Sequence, residues 1–347
     1  MKRISTLLAL AALAVPAAAS AEPVAAPGAA TGVREYAGTI VFSQLDATTR
    51  QWRLAVRRAG APAAEVLPVA PSTRPFRADI GPDSAGGPTL IYQRCAATPG
   101  VPTGCDLFVY SLERATGERP VDNANDPEHN DLAPTVWRGR IAWVRDYGRG
   151  SEPNPVVYTK ELTAPRSRPS VRQPGVPQRR CGDVDRRVCG PTSGRTVREL
   201  ELWGRNLAQS VSYGCRACAG IDQAELRLVD VTRQSARQVA FQVVGLSGQS
   251  LVGPSFAAGR VAWYRACLGD PSGCVGGRAG AFRMSLSTAR YERGAAGPIA
   301  VRGFADATTS HYQVLGCSEE TEGPFNANCR IERISAPAYT PTRPPLR

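Results

Sequence analysis

The stretch APTVWRGRIAWVRD (133–146) and its echo VGPSFAAGRVAWYRA (252–266) share one pattern: an apolar run, a turn ending in Gly, then a strand closing on an aromatic. The same strand recurs as TIVF (39–42), TLIY (89–92), RIAW (140–143), SVSY (210–213) and RVAW (260–263), with SHYQ (310–313) as a weaker member. Taking the residue before the last as the register gives positions 41, 91, 142, 212, 262 and 312, hence spacings of 50, 51, 70, 50 and 50. A near-constant period broken by one insertion of about 20 residues marks a repeat architecture.

Other features keep the same phase. Gly38, Gly87, Gly139 and Gly259 lie just before their strands, where a tight turn favours glycine. A further strand follows each aromatic one: WRLAVRR (52–58), DLFVYSL (106–112), PVVYTKEL (155–162), ELRLVDV (225–231), AFRMSLS (281–287) and CRIERIS (329–335). These runs are rich in β-formers and partly alternate, the pattern of half-buried strands. No long amphipathic helix interrupts them. Four strands per 40–50 residues, six times over, is the arithmetic of an all-β, six-bladed β-propeller. One blade is apolar on both faces, so it must be stacked on two neighbours. A seven-bladed ring and a tandem of β-sandwiches are the alternatives.

The pattern in 133–146 and 252–266 resembles the repeat of TolB-like propellers, where a Pro-Trp-Ser-Pro-Asp-Gly-type turn precedes an Ile-Ala-Phe-type strand. The resemblance covers roughly residues 35–336, and only GPDSAGG (81–87) keeps a trace of the turn. It implies a protein-interaction role by analogy of fold alone.

Residues 1–21 (MKRISTLLALAALAVPAAASA) read as a secretory signal peptide: Lys2 and Arg3 precede a short apolar run, and Ala19-Ser20-Ala21 offers small residues for cleavage. The run is too short to span a bilayer, and no later stretch approaches that length. The expected organisation is then an Ala/Pro linker (22–34), the propeller (35–336, with an Arg/Pro-rich insertion at about 164–197) and a Pro-rich tail (337–347). For closing the sixth blade, the candidate strand is VREYAG (33–38). The expected location is secreted, periplasmic or extracellular, and the heavy use of Arg and Ala resembles a GC-rich bacterial genome.

Removing Lys2 and Arg3 lowers the formal net charge from +12 to +10, and most of the remainder is local. Residues 164–198 hold nine Arg against Asp183 and Asp185, with no aromatic among them. Nucleic-acid binding wants basic residues interleaved with aromatics or a known module, so this segment does not point to it.

The ten Cys are in partial phase with the repeat. Cys95, Cys215, Cys267 and Cys317 end aromatic strands, and Cys105, Cys218, Cys274 and Cys329 precede or begin the next ones. Antiparallel neighbours bring Cα atoms within disulfide range. The expected bridges are therefore Cys95–Cys105, Cys215–Cys218, Cys267–Cys274 and Cys317–Cys329, with Cys181–Cys189 inside the insertion. Cys215-Arg-Ala-Cys218 has redox spacing, but it falls between strands, not at a helix N-terminus. A zinc site from Cys181, Cys189, Cys215 and Cys218 would have irregular spacing.

Signals for chemistry are sparse. In DNANDPEHND (122–131), Asp126, Glu128 and Asn130 alternate as calcium ligands would, though Asp131 stands where a calcium loop needs Gly. Gly245-Leu-Ser247-Gly248 breaks the nucleophile-elbow spacing. Only His129 and His311 are available as a base, and no catalytic residue or cofactor is assigned. Arg94, Arg145 and Arg265 each lie two residues past their strand's aromatic, hence on one face. They are the candidate contacts for an anionic ligand or acidic protein surface. The sequence thus favours a binding or scaffold module for a protein or envelope ligand. The alternative is a secreted hydrolase or lyase using carboxylates at the channel mouth, which would require Asp or Glu side chains to converge there.

Overall fold

The computed structural model describes residues 21–29, 31–95, 104–114, 117–148, 154–164, 167–171, 192–215, 222–244, 249–267, 279–296, 301–305, 311–317, 329–335 and 339–342. Among these residues there is no helix, and the strands form six sheets. Strand β1 (Ala21–Ala25) belongs to the last sheet. The first blade is β2 (Val33–Tyr36), β3 (Thr39–Asp46), β4 (Gln51–Arg57) and β5 (Glu65–Val66), in that order from the axis outward. The second is β6 (Arg77–Pro82), β7 (Pro88–Cys95), β8 (Cys105–Ser111) and β9 (Glu118–Pro120). The third is β10 (Asn130–Trp137), β11 (Arg140–Asp146), β12 (Pro155–Glu161) and β13 (Ser170–Val171). Blade four is β14 (Thr192–Trp203), β15 (Asn206–Cys215), β16 (Asp222–Asp230) and β17 (Ser235–Val244). Blade five is β18 (Gln249–Ala257), β19 (Arg260–Cys267), β20 (Gly280–Ser285) and β21 (Tyr291–Ala296), and blade six begins with β22 (Val301–Ala305), β23 (His311–Cys317) and β24 (Cys329–Ser335). Neighbouring innermost strands touch in cyclic order, from β2 round to β22 and back. This is a six-bladed β-propeller.

Turn chemistry sets the inner hairpins. Ala37-Gly38, Arg138-Gly139 and Ala258-Gly259 all have positive φ at both central residues, the requirement of a two-residue type I′ turn. The second blade uses a longer turn, in which the Asp83 carboxylate accepts hydrogen bonds from the amides of Ala85 (2.8 Å) and Gly87 (2.9 Å). The sequence echo between 133–137 and 253–257 also has a structural meaning. Ala133 and Gly253, each followed by Pro, have φ of 47° and 51°, and both sit where the ladder to the next strand shifts register. A bulge bends each innermost strand there. At Gly253 the approach is close, since an added Cβ would lie 2.4 Å from the Phe304 carbonyl oxygen.

The aromatic of the repeat is the wedge between blades. Six apolar clusters occupy the six seams. Phe42, Tyr92, Trp143, Trp263 and Tyr312 all bury their rings toward the preceding blade. In three blades that ring stacks on an aromatic directly across the ladder: Tyr92 on Phe108 (5.9 Å), Trp143 on Tyr158 (5.6 Å) and Trp263 on Phe282 (5.8 Å). Such pairs add about 0.5–1.5 kcal/mol beyond area burial. Blade four departs from the pattern. Counted from its hairpin turn, the equivalent residue is the buried Gln209, and Tyr213 lies further along β15.

Closure differs from the expectation drawn on 33–38. That segment supplies β2, the innermost strand of blade one, and the outer strand of blade six is β1, antiparallel to β24 with Ala21 opposite Ile334. The described part of the tail lies instead at blade five. There β25 (Thr340–Thr342) pairs with β21 as a fifth strand. Both additions cover an edge that would otherwise expose unpaired backbone groups. Two expected bridges are present, Cys95–Cys105 and Cys317–Cys329, each joining directly opposed residues of adjacent strands. The pairings expected for Cys181–Cys189, Cys215–Cys218 and Cys267–Cys274 lie outside the described residues, as does most of the insertion.

The seam between the last and first blades carries a buried acid. The Glu35 side chain is fully buried and faces His311 across 3.6 Å. Burial lifts its carboxyl from 4.5 to about 7, with the nearby Gln313 amide and the Arg333 charge opposing. Because the folded value lies above the unfolded one, the folded state holds this proton more tightly. Its contribution to stability is full at acid pH and is lost as pH rises from about 4.5 through 7. The loss amounts to about 3 kcal/mol at one pK unit per 1.36 kcal/mol. Denaturant unfolding of wild type and Glu35→Gln at pH 5 and pH 8 checks this: the variant should gain on wild type at pH 8 and lose most of that advantage at pH 5.

Candidate functional site

The two mouths of the channel are built differently. At one, the first and second strands of blades one, three, four and five are joined by two-residue turns. The other mouth receives the connections from second to third strands, which run over 96–104, 147–154, 216–221, 268–279 and 318–328 in blades two to six. The connection from blade three to blade four, containing 172–191, ends there as well. The strands that these connections join therefore have their described ends at one mouth, and loops on a rigid scaffold are where function commonly lies.

A cavity of about 540 Å³ opens at this mouth. Its walls come from Thr31 and Gly32 before β2, Arg74 to Ala78 at the start of β6, Leu132 to Pro134 at the bulge of β10, and Arg198 to Leu200 of β14. Gln93 and the Cys95–Cys105 bridge complete one side. Gln93 is fixed by accepting the Ala133 amide at 2.8 Å, which ties blade two to the bulge of blade three.

The floor is an ion cluster that spans the ring. Arg34 of blade one reaches Glu199 (3.7 Å) and Glu201 (3.3 Å) of blade four, the blade diametrically opposite. Beside it, Asp79 of blade two accepts hydrogen bonds from the Thr135 hydroxyl (2.7 Å) and the Val136 amide (2.8 Å) of blade three. The Thr135 oxygen in turn accepts the Leu202 amide of blade four at 2.9 Å. Four blades are thus stitched together at the axis. Burial pushes Glu201 well above the usual carboxylate range, with repulsion from Asp79 adding to it and Arg34 opposing. Asp79 is likewise raised by burial, against Arg34 and its hydrogen bonds. Burial alone would lower Arg34, but the combined attraction of Glu199, Glu201 and Asp79 raises it, so it stays charged. One cation faces three carboxyls here, and for Asp79 and Glu201 burial favours the protonated form.

Above this floor, Arg74, Arg77 and Arg198 are exposed within the concave mouth. Arg77 donates to the Arg198 carbonyl (2.9 Å), and Arg198 donates to the Ser212 hydroxyl (2.8 Å). The phase of the repeat did not reveal these three residues. They lie at or near innermost strands, and their signal is only that Arg is frequent before β6 and in β14.

The arginines singled out by phase sit at the same mouth, at the ends of second strands. Arg94 is paired with Glu118 at 2.5 Å and lies 4.0 Å over the Phe108 ring. Arg145 binds Asp131 (2.9 Å) and Asp126 (3.1 Å) and lies over Tyr158, while the adjacent Asp146 instead caps its own loop by accepting the Gly148 and Asn154 amides. Burial lifts Asp131 to about 6 against the hydrogen bonding of Arg145. Arg265 is partly buried, and desolvation with the nearby Arg293 charge lowers its pKa. Two of the three alternating side chains of 126–130 are drawn to protein partners: Asp126 binds the Glu128 amide, His129 and Arg145, and Asn130 accepts the Cys105 amide, while Glu128 is exposed. Among the described residues no group of three or more His, Cys, Asp and Glu side chains is arranged to hold a metal.

No family profile and no curated protein sequence matches the chain. Solved structures do match in shape. The chain is similar to TolB from Acinetobacter baumannii (TM-score 0.48, 10% identity, 88% of this chain and 66% of that one). It is also similar to an α-L-arabinofuranosidase from Fusarium graminearum (TM-score 0.50, 9% identity, 89% and 93%). A third is the β-propeller domain of the Trilobed protease from Pyrococcus furiosus (TM-score 0.46, 8% identity, 91% and 98%). At such identities the likeness concerns the fold alone.

The floor cluster makes a mutational prediction. Arg34→Met leaves the buried carboxylates without their cation and should cost about 3–5 kcal/mol in denaturant unfolding. Combining it with Glu199→Gln and Glu201→Gln removes the uncompensated charge and should recover most of that loss. An Arg34→Met protein as stable as wild type would show that the cluster contributes nothing.

Proposed function

We propose that the chain is an exported propeller acting as a binding or scaffold module for a protein or envelope ligand, engaged at the loop-rich mouth of the channel. The observation that carries this is the asymmetry of the ring. At one mouth the strands joined by the long connections end, and three solvent-accessible arginines line its cavity; the other has mostly tight turns, with a cavity of about 580 Å³ between those of blades four and five. Export is supported by the signal-like residues 1–21 and by two disulfides, which persist in oxidising compartments. Among the described residues no helix is long and apolar enough to cross a membrane.

Arg94, Arg145 and Arg265 belong to the rim of this mouth in the proposal. Since Arg94 and Arg145 are already balanced by internal carboxylates, the weight of ligand attraction falls on Arg74, Arg77 and Arg198. A second reading, a hydrolase or lyase, draws on the gathering of Asp79, Glu199 and Glu201 around Arg34. Against it, two of these carboxyls are held by an arginine on the floor, and Asp79 is sealed beneath.

Affinity capture from envelope extract with the mature protein tests the binding reading. Arg198→Glu at the loop-rich mouth should lose the specific partners, whereas Arg138→Asp, in an opposite-mouth turn that tolerates positive φ, should keep them. The reverse pattern, or equal recovery by both, removes the assignment of the binding face.

A further inference from the structure

We propose that the mouth cavity is a binding site for a small polycarboxylate, a molecule carrying two or three carboxylates on a short carbon skeleton, held by Arg74, Arg77 and Arg198. The proposal rests on the reading of this mouth as the binding face, and adds the chemistry of what enters it.

Charge is the first argument. None of the three arginines forms an ion pair with a described carboxylate, although the cavity brings them together from blades two and four. Arg77 is pinned against the backbone of Arg198 through one N–H, and Arg198 is pinned to Ser212 through its Nε. Among the described residues no other hydrogen bond takes up the remaining N–H groups of these guanidinium groups, and the planar fork of each matches a carboxylate two bonds at a time. Desolvation depresses the Arg77 pKa, Glu199 opposes it, and repulsion from Arg198 and Arg34 adds to the depression. An anion bound here would relieve that repulsion, and the pinned side chains have little freedom left to lose.

Shape and wall chemistry narrow the class. A volume of about 540 Å³ suits a small molecule. The walls alternate cations with apolar surface from Phe76, Ala78, Leu132, Pro134 and Leu200. Separated carboxylates on a carbon skeleton use both kinds of surface. A compact phosphate would use only the cations and would place dense negative charge beside Glu199, which is 26% exposed at the floor.

Titration calorimetry with propane-1,2,3-tricarboxylate tests the proposal, with inorganic phosphate and a hexaglutamate peptide as comparison arms. Wild type should bind the tricarboxylate at least tenfold more tightly than either comparison. Arg77→Gln and Arg198→Gln should each weaken it by tenfold or more, Arg77→Lys by less, and Arg290→Gln at the opposite mouth should leave it unchanged. Unfolding curves confirm that each variant is folded. No binding by folded wild type, or equal binding by the Arg77 and Arg198 variants, overturns the site; tighter binding of phosphate or of the peptide overturns the ligand class. If the tricarboxylate fails while Arg198→Glu still loses captured partners, the ligand inference falls and the binding-face reading stands.

Discussion

Each blade here is apolar on both faces, and no single blade can bury both. That constraint governs everything else in the molecule. It requires every blade to have two neighbours, so the row must close into a ring, and closure requires the first and last blades to meet. The seam residues meet the constraint with one device used repeatedly: an aromatic on the second strand, turned toward the preceding blade, as with Phe42, Tyr92, Trp143, Trp263 and Tyr312. Closure itself uses chain from the far end of the sequence, with Val24 of β1 buried in the same cluster as Ile331 of β24 and Phe42 of blade one.

A closed ring with bulged innermost strands has a second consequence. Side chains from opposite blades come within reach of each other at the axis, and polar ones must find partners there or remain unsatisfied at a cost. Arg34, Asp79, Thr135, Glu199 and Glu201 form such a set. They fill the axis and turn the channel into a cup with a floor. The cup opens toward the long connections, which is why its wall can hold exposed arginines whose charge is not consumed by the fold.

The sequence made the repeat, the aromatic strands and two of the hairpin bridges legible, because each is a local pattern with a fixed period. It was less informative wherever the relevant neighbour is remote in sequence. Nothing local in Ala21–Ala25 announces pairing with β24, since its composition reads as linker, and nothing in VREY reveals that Arg34 faces Glu199 and Glu201 across the axis. Phase selected Arg94, Arg145 and Arg265, which do share an environment, but Arg94 and Arg145 are bound to Glu118, Asp131 and Asp126. Arg74, Arg77 and Arg198 keep no common phase, and only the folded ring brings them to one cavity.

The central claim is that this protein works through the mouth above the Arg34 floor. Hydrogen–deuterium exchange of the mature protein, with and without a partner captured from envelope extract, tests it most directly. The account predicts protection concentrated in the segments before β2 and β6, in the bulge at 132–134 and in 198–200. Protection concentrated instead in the turns at 37–38, 138–139 and 258–259, with the mouth unchanged, would contradict it.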